Sequence, residues 1–131
     1  MQNLDIKCLV SGSETEGKIA VFEEIVAPGG GPPRHVHRSQ LEVFHLLEGL
    51  LRFEVDGETL LLETGGTAVV PAGAVHAFRN DSDEAVRIRF ELLPAGNSEQ
   101  GFERLVAGEI GDIAAFFDQY DMDLSGPPLD P

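Results

Sequence analysis

Regular punctuation by turn residues is the feature that most constrains this chain. Between residues 18 and 93, short apolar runs alternate with glycine, proline and acidic turns. From Leu50 to Val55, Leu51, Phe53 and Val55 share one parity while Arg52 and Glu54 share the other, the period-two pattern of a half-buried strand. The stretch 85–93 repeats it, with Ile88, Phe90 and Leu92 opposite Arg87, Arg89 and Glu91. Asp56-Gly57 between two such runs is a strong hairpin signal. Gly29 to Pro33, Gly65-Gly66, Pro71-Ala72-Gly73 and Asn80 to Glu84 mark further turns, leaving strands near 18–26, 42–47, 59–62, 68–70 and 75–79. Strands this short, recurring about every 8–12 residues, predict an all-β sandwich or barrel. Only the end reads as helical: Ile110, Ile113, Ala114 and Phe117 form one apolar stripe, and Asp112 suits a helix start. The expected organisation is one domain over 1–131, with a barrel over about 4–95, a C-terminal helical segment over about 100–122, and a frayed or draped tail over 123–131 that contains Ser-Gly-Pro-Pro-Leu-Asp-Pro.

A chain of 131 residues with 42% hydrophobic content suits a single domain that builds a core without staples. Cys8 is the one cysteine, so neither an internal disulfide nor a cysteine zinc cluster is available, and it is expected to serve as a small buried hydrophobe. The opening residues lack a basic segment followed by a long apolar one, and no apolar run reaches membrane-spanning length; a cytoplasmic location is expected. The 23 acidic residues against 9 basic ones give a net charge of −14. Such a surface repels nucleic acid and anionic membranes, so neither is an expected partner. From Glu99 to Pro131, eight acids face one base, which reads as a solvated acidic surface; adaptation to a saline cytoplasm is the sharper alternative.

Chemistry concentrates at two histidine clusters. In a strand, His35 and His37 point to one side, and Glu42 joins them if the polar Arg38-Ser39-Gln40 turns the chain back. His76 follows the Pro71-Ala72-Gly73 turn. Three imidazoles and one carboxylate suit first-row divalent metals.

The spacing resembles the cupin superfamily. Gly29, His35, His37, Glu42 and Gly49 fall at the intervals of that family's first motif, and Gly65, Pro71, Gly73, His76 and Asn80 at those of its second. The fifteen residues 50–64 separate the motifs, and the resemblance extends over about 4–95. It implies a small jelly-roll β-barrel with a metal inside. The implied ligands are His35, His37, Glu42 and His76, holding one divalent transition ion per chain: iron, manganese, nickel, copper, cobalt or zinc, with iron or manganese favoured. All four positions carry ligand-capable residues, unlike the metal-free branch of epimerase type.

Around these, Gln40 is read as satisfying the turn or reaching the metal, and His45 as facing outward. Arg34 is read as a surface residue or a greeter of anionic substrate. Phe44, Phe53, Phe78 and Phe90 are expected inside, some walling a pocket for an apolar or aromatic ligand. Tyr120, the single tyrosine, is placed away from both motifs. Similarity to quercetin-dioxygenase-like cupins implies a metal-dependent dioxygenase for a small hydroxylated substrate, with Glu42 as catalytic base. A non-redox isomerase, cyclase or lyase and a non-catalytic small-molecule binder stand beside it. Edge strands that need covering point to a homodimer.

Overall fold

Along Ala20–Val26 every second residue, Ala20, Phe22, Glu24 and Val26, is buried, and the same alternation runs through most of the longer strands. The computed structural model describes residues 4–131. Its strands are β1 (Asp5–Val10), β2 (Ala20–Val26), β3 (Pro33–His37), β4 (Leu41–Glu48), β5 (Leu50–Val55), β6 (Glu58–Glu63), β7 (Thr67–Val70), β8 (His76–Arg79), β9 (Val86–Leu93) and β10 (Met122–Pro128), with helices α1 (Ser98–Ala107) and α2 (Ile113–Gln119) before the last strand. They form two five-stranded antiparallel sheets, ordered β1-β2-β9-β4-β7 and β10-β3-β8-β5-β6. The architecture is the expected all-β jelly roll. Its inner faces meet in one apolar core that includes Phe22, Phe44, Phe53, Phe78, Ile88 and Phe90.

Local sequence explains the turns that frame the site. The β5–β6 hairpin pairs Val55 with Glu58 across Asp56-Gly57, whose φ angles of 47° and 82° are the two positive values that a type I′ hairpin turn requires. Gly31 passes close beneath β8: a Cβ there would lie 1.9 Å from the Phe78 carbonyl oxygen, so only glycine lets this loop pack against the strand.

Three expectations are corrected. The C-terminal helical segment is two helices, because Gly108 ends α1 in the left-handed region at φ 74°. Asp112 then starts α2 by accepting from Ala115 N at 2.9 Å. Ile110 lies between the helices, yet packs with Phe116, Phe117, Tyr120 and Met122 in a second apolar cluster. The supposed frayed tail is largely strand β10, which pairs Met122 with His37 and Leu124 with His35, and Leu129 beyond it is buried. Two prolines are tolerable there because β10 is an edge strand. Cys8 is exposed, since β1 is also an edge and turns mainly Ile6 inward.

Candidate metal centre

His35 and His37 are both buried on β3 at the inward parity. The chain leaves the strand at Arg38 and re-enters the opposite sheet at Leu41, which brings Glu42 inward on β4. His76 opens β8 directly after the Pro71–Gly73 turn and lies opposite His35 in the β3–β8 register. Gly73 N donates to the His37 carbonyl at 2.8 Å, pinning that turn to the first histidine pair. One ligand atom from each of the four residues falls within 4.8 Å of the others.

Hydrogen bonds orient these rings. His35 Nδ1 lies 2.8 Å from the Pro33 carbonyl and His76 Nδ1 lies 3.0 Å from the Ala74 carbonyl. A carbonyl only accepts, so both Nδ1 atoms donate, and in the neutral rings each Nε2 keeps a lone pair. This backbone anchoring is how ligating histidines are held in register. His76 Nε2 sits 3.0 Å from Glu42 Oε1, and His37 Nε2 sits 3.1 Å from the same oxygen. Lone pairs facing a carboxylate repel unless a cation or proton lies between them. Neither ring nitrogen of the buried His37 has a hydrogen-bond partner among the described residues, a costly arrangement that a bound cation relieves. The donor set therefore fits a divalent metal.

The charge states of His35 and Glu42 agree with that fit. Burial pushes the His35 imidazole down to about 3, with His76 and His37 adding to the shift, so it stays neutral. Burial pushes the Glu42 carboxyl up, but His37 and His76 beside it hold it below the ordinary carboxylate range. Burial pulls His76 down, and the Glu42 carboxylate outweighs this and raises it.

Three of them, His35, His37 and Glu42, border a narrow cavity of about 80 Å³, and His76 stands behind them beside Glu42. Phe44, Phe78 and Phe90 wall it from the barrel, and Phe102, Leu105 and Phe117 close it from the helices. Among the described residues, no lysine or arginine lines it. Glu24 is, and burial, with the charges of Glu42 and Asp5, pushes its carboxyl up to about 8.

Other expected residues fall elsewhere. The Gln40 amide nitrogen bonds to Pro94 O at 2.8 Å and Ser98 Oγ at 2.8 Å, tying the β3–β4 turn to the start of α1. His45 pairs with Glu91, and Arg34 pairs with Glu54 at 2.8 Å while its Nη1 donates to Pro127 O. Phe53 is core rather than cavity wall. Tyr120 stands nearer than expected: its ring and His37 border one small void, and its hydroxyl accepts from Arg104 Nη1 at 3.1 Å. Sequence reasoning missed Glu24, Phe102 and Leu105. For Glu24 a signal existed, an acid at the inward parity of an otherwise apolar row with Ala20, Phe22 and Val26.

Residues 22–93 match the family model described as Cupin domain. Over 70 residues, 53% of this chain and 46% of the relative, the sequence is 36% identical to "Polyketide synthase CurC" of Streptomyces cyaneus. Over 75 residues, 55% of this chain and 22% of the relative, it is 38% identical to "Quercetin 2,3-dioxygenase" of Bacillus subtilis (strain 168). The aligned part is thus less than half the length of either relative. Among solved structures, TT1209 from Thermus thermophilus superposes with a TM-score of 0.64 at 26% identity, covering 70% of this chain and 84% of that one.

Proposed function

This chain belongs to the cupin family, and from that premise we propose that it is a metal-dependent dioxygenase acting on a small, hydroxylated, apolar or aromatic substrate. One observation carries the reading: His35, His37, Glu42 and His76 converge, neither His37 ring nitrogen hydrogen-bonded among the described residues, and three of the four border an apolar cavity. They would hold a divalent transition metal, iron or manganese by preference. When bound, it supplies a Lewis acid for a substrate oxygen and a redox partner for dioxygen.

The side chains do the rest. Phe44, Phe78 and Phe90 exclude water and offer flat apolar walls. Glu42 is held as a carboxylate and takes the proton of the substrate hydroxyl at Oε1. A cavity without lysine or arginine favours a neutral substrate over a phosphosugar, which leaves the isomerase reading without support from its lining. Both oxygen atoms enter the product, so the reaction needs no added reductant. Binding without turnover is the second reading, since the same apolar cavity of about 80 Å³ holds a small ligand whether or not it reacts. Homodimerisation through a sheet edge belongs to the same proposal, since Leu60 and Leu61 on β6 and Val69 on β7 are exposed on edge strands.

Metal content per chain by mass spectrometry, on wild type and His76→Ala, tests the centre. Oxygen uptake with catechols, diketones and flavonols then tests turnover. Iron or manganese near one per chain, lost in the variant, together with oxygen consumed one-for-one with substrate supports a dioxygenase. Metal with substrate binding but no uptake selects the binder. No metal after reconstitution overturns the dioxygenase and leaves a barrel that binds a small molecule without one.

A further inference from the structure

Glu24 places a carboxyl group where the fold calls for an apolar side chain. It is 8% exposed, and among the described residues it makes no side-chain hydrogen bond and no ion pair. A buried carboxyl without a partner costs stability, and nothing in the packing of β2 requires one. Strand register places it relative to the metal centre. Glu24 pairs with Ile88 on one side of β9, and Glu42 pairs with Leu92 on the other. The two acids are therefore two strands and four residues apart, on the order of 15 Å between Cα atoms. Both face one cavity that Phe44 and Phe90 also line.

We propose that Glu24 is a ligand-contacting residue whose carboxyl hydrogen-bonds an oxygen of the bound molecule at the end of the cavity remote from Glu42. The ligand is then a neutral, single-ring or similarly small molecule with oxygen functions at both ends: a hydroxyl or hydroxyl pair at the metal centre, and a hydroxyl or carbonyl at the Glu24 end. This rests on the reading of His35, His37, Glu42 and His76 as a metal centre. Being protonated at neutral pH, Glu24 donates as well as accepts, so either oxygen type is served. At the Glu24 end, remote from the metal centre, no lysine or arginine lines the cavity among the described residues, so a ligand carboxylate or phosphate is disfavoured there.

Zinc-loaded protein, which binds without redox turnover, tests this by calorimetric titration with 4-methylcatechol and 3,4-dihydroxybenzyl alcohol. The probes differ by one hydroxyl, remote from the metal-binding pair. Wild type is expected to bind the alcohol about tenfold tighter, the scale of one hydrogen bond. Glu24→Leu is expected to lose that preference and Glu24→Gln to keep most of it, with zinc near one per chain in all three. Metal-free Glu24→Leu should melt no lower than wild type. Wild type that prefers neither probe or binds neither, or Glu24→Leu that keeps the preference, overturns the inference while the zinc content leaves the metal centre standing. Glu24→Leu that melts lower and is restored by Gln assigns a structural role and also overturns it. Wild type that takes up no zinc fails at the underlying reading instead.

Discussion

Two inward residues, Glu24 and His37, carry polar groups that make no side-chain hydrogen bond among the described residues. Each makes a stability prediction. The Glu24 carboxyl has its pKa raised from 4.5 to about 8 in the fold, so the folded state binds a proton that the unfolded state releases. Its favourable contribution is complete below about pH 4.5 and is lost as pH rises through 8. The difference is on the order of 4 kcal/mol. Melting curves of metal-free protein should show wild type losing stability relative to Glu24→Gln between pH 5 and 8; parallel curves would mean that the carboxyl ionises normally in the fold. His37 has both ring nitrogens buried and unbonded. His37→Leu removes that desolvation cost, about 1–3 kcal/mol, so the metal-free variant should melt several degrees higher. In the presence of saturating metal the order should reverse, because only wild type gains the binding free energy.

At the scale of elements, β10 decides whether the end of the chain is part of the molecule. It covers the free edge of β3, the strand that carries His35 and His37. Arg38 reaches both Asp118 and Asp123, fastening α2 and β10 to the end of β3. Leu129 is 3% exposed. Truncating it to alanine should cost about 2–4 kcal/mol in unfolding free energy by denaturant titration, whereas a draped tail would give a change within about 0.5 kcal/mol. The sequence did not reveal this strand because Ser125-Gly126-Pro127-Pro128 has neither alternation nor β propensity; its order comes from backbone pairing and long-range arginine contacts. The opposite holds for β5 and β9, whose parity is strict, and for the Asp56-Gly57 turn, whose backbone chemistry is local. The four candidate ligands were legible for a similar reason: strand parity and fixed turns set their spacing. Glu24 was legible only as an anomaly in parity, and Phe102 and Leu105 not at all. They reach the cavity through the docking of α1, which no local pattern encodes.

Across the whole molecule, charge is the dominant unbalanced quantity. Most of the nine basic residues are engaged on outer faces, as in the pairs Lys7–Glu23, Arg34–Glu54, Arg52–Asp81 and Arg87–Glu48. The net charge of −14 therefore acts as repulsion that the compact state must bear and the expanded chain relaxes. Salt has two opposed effects. It weakens the exposed pairs, each a small contribution, and it screens the repulsion among many more acids. The Debye length falls from about 10 Å at 0.1 M to about 3 Å at 1 M, shorter than most separations between like charges on the surface. The second effect should win. The melting temperature of metal-free protein is expected to climb by roughly 3–6 °C over that range of sodium chloride. The rise should be steepest at low salt, where screening changes most. A flat or falling curve would mean that the ion pairs outweigh the repulsion, and the acidic composition would then lose its reading as an adaptation to a saline interior. A rise of this form, largely reproduced by neutralising Glu103 and Glu109, which have no ion pair among the described residues, in one variant, would locate the repulsion at the acid-rich end of the chain.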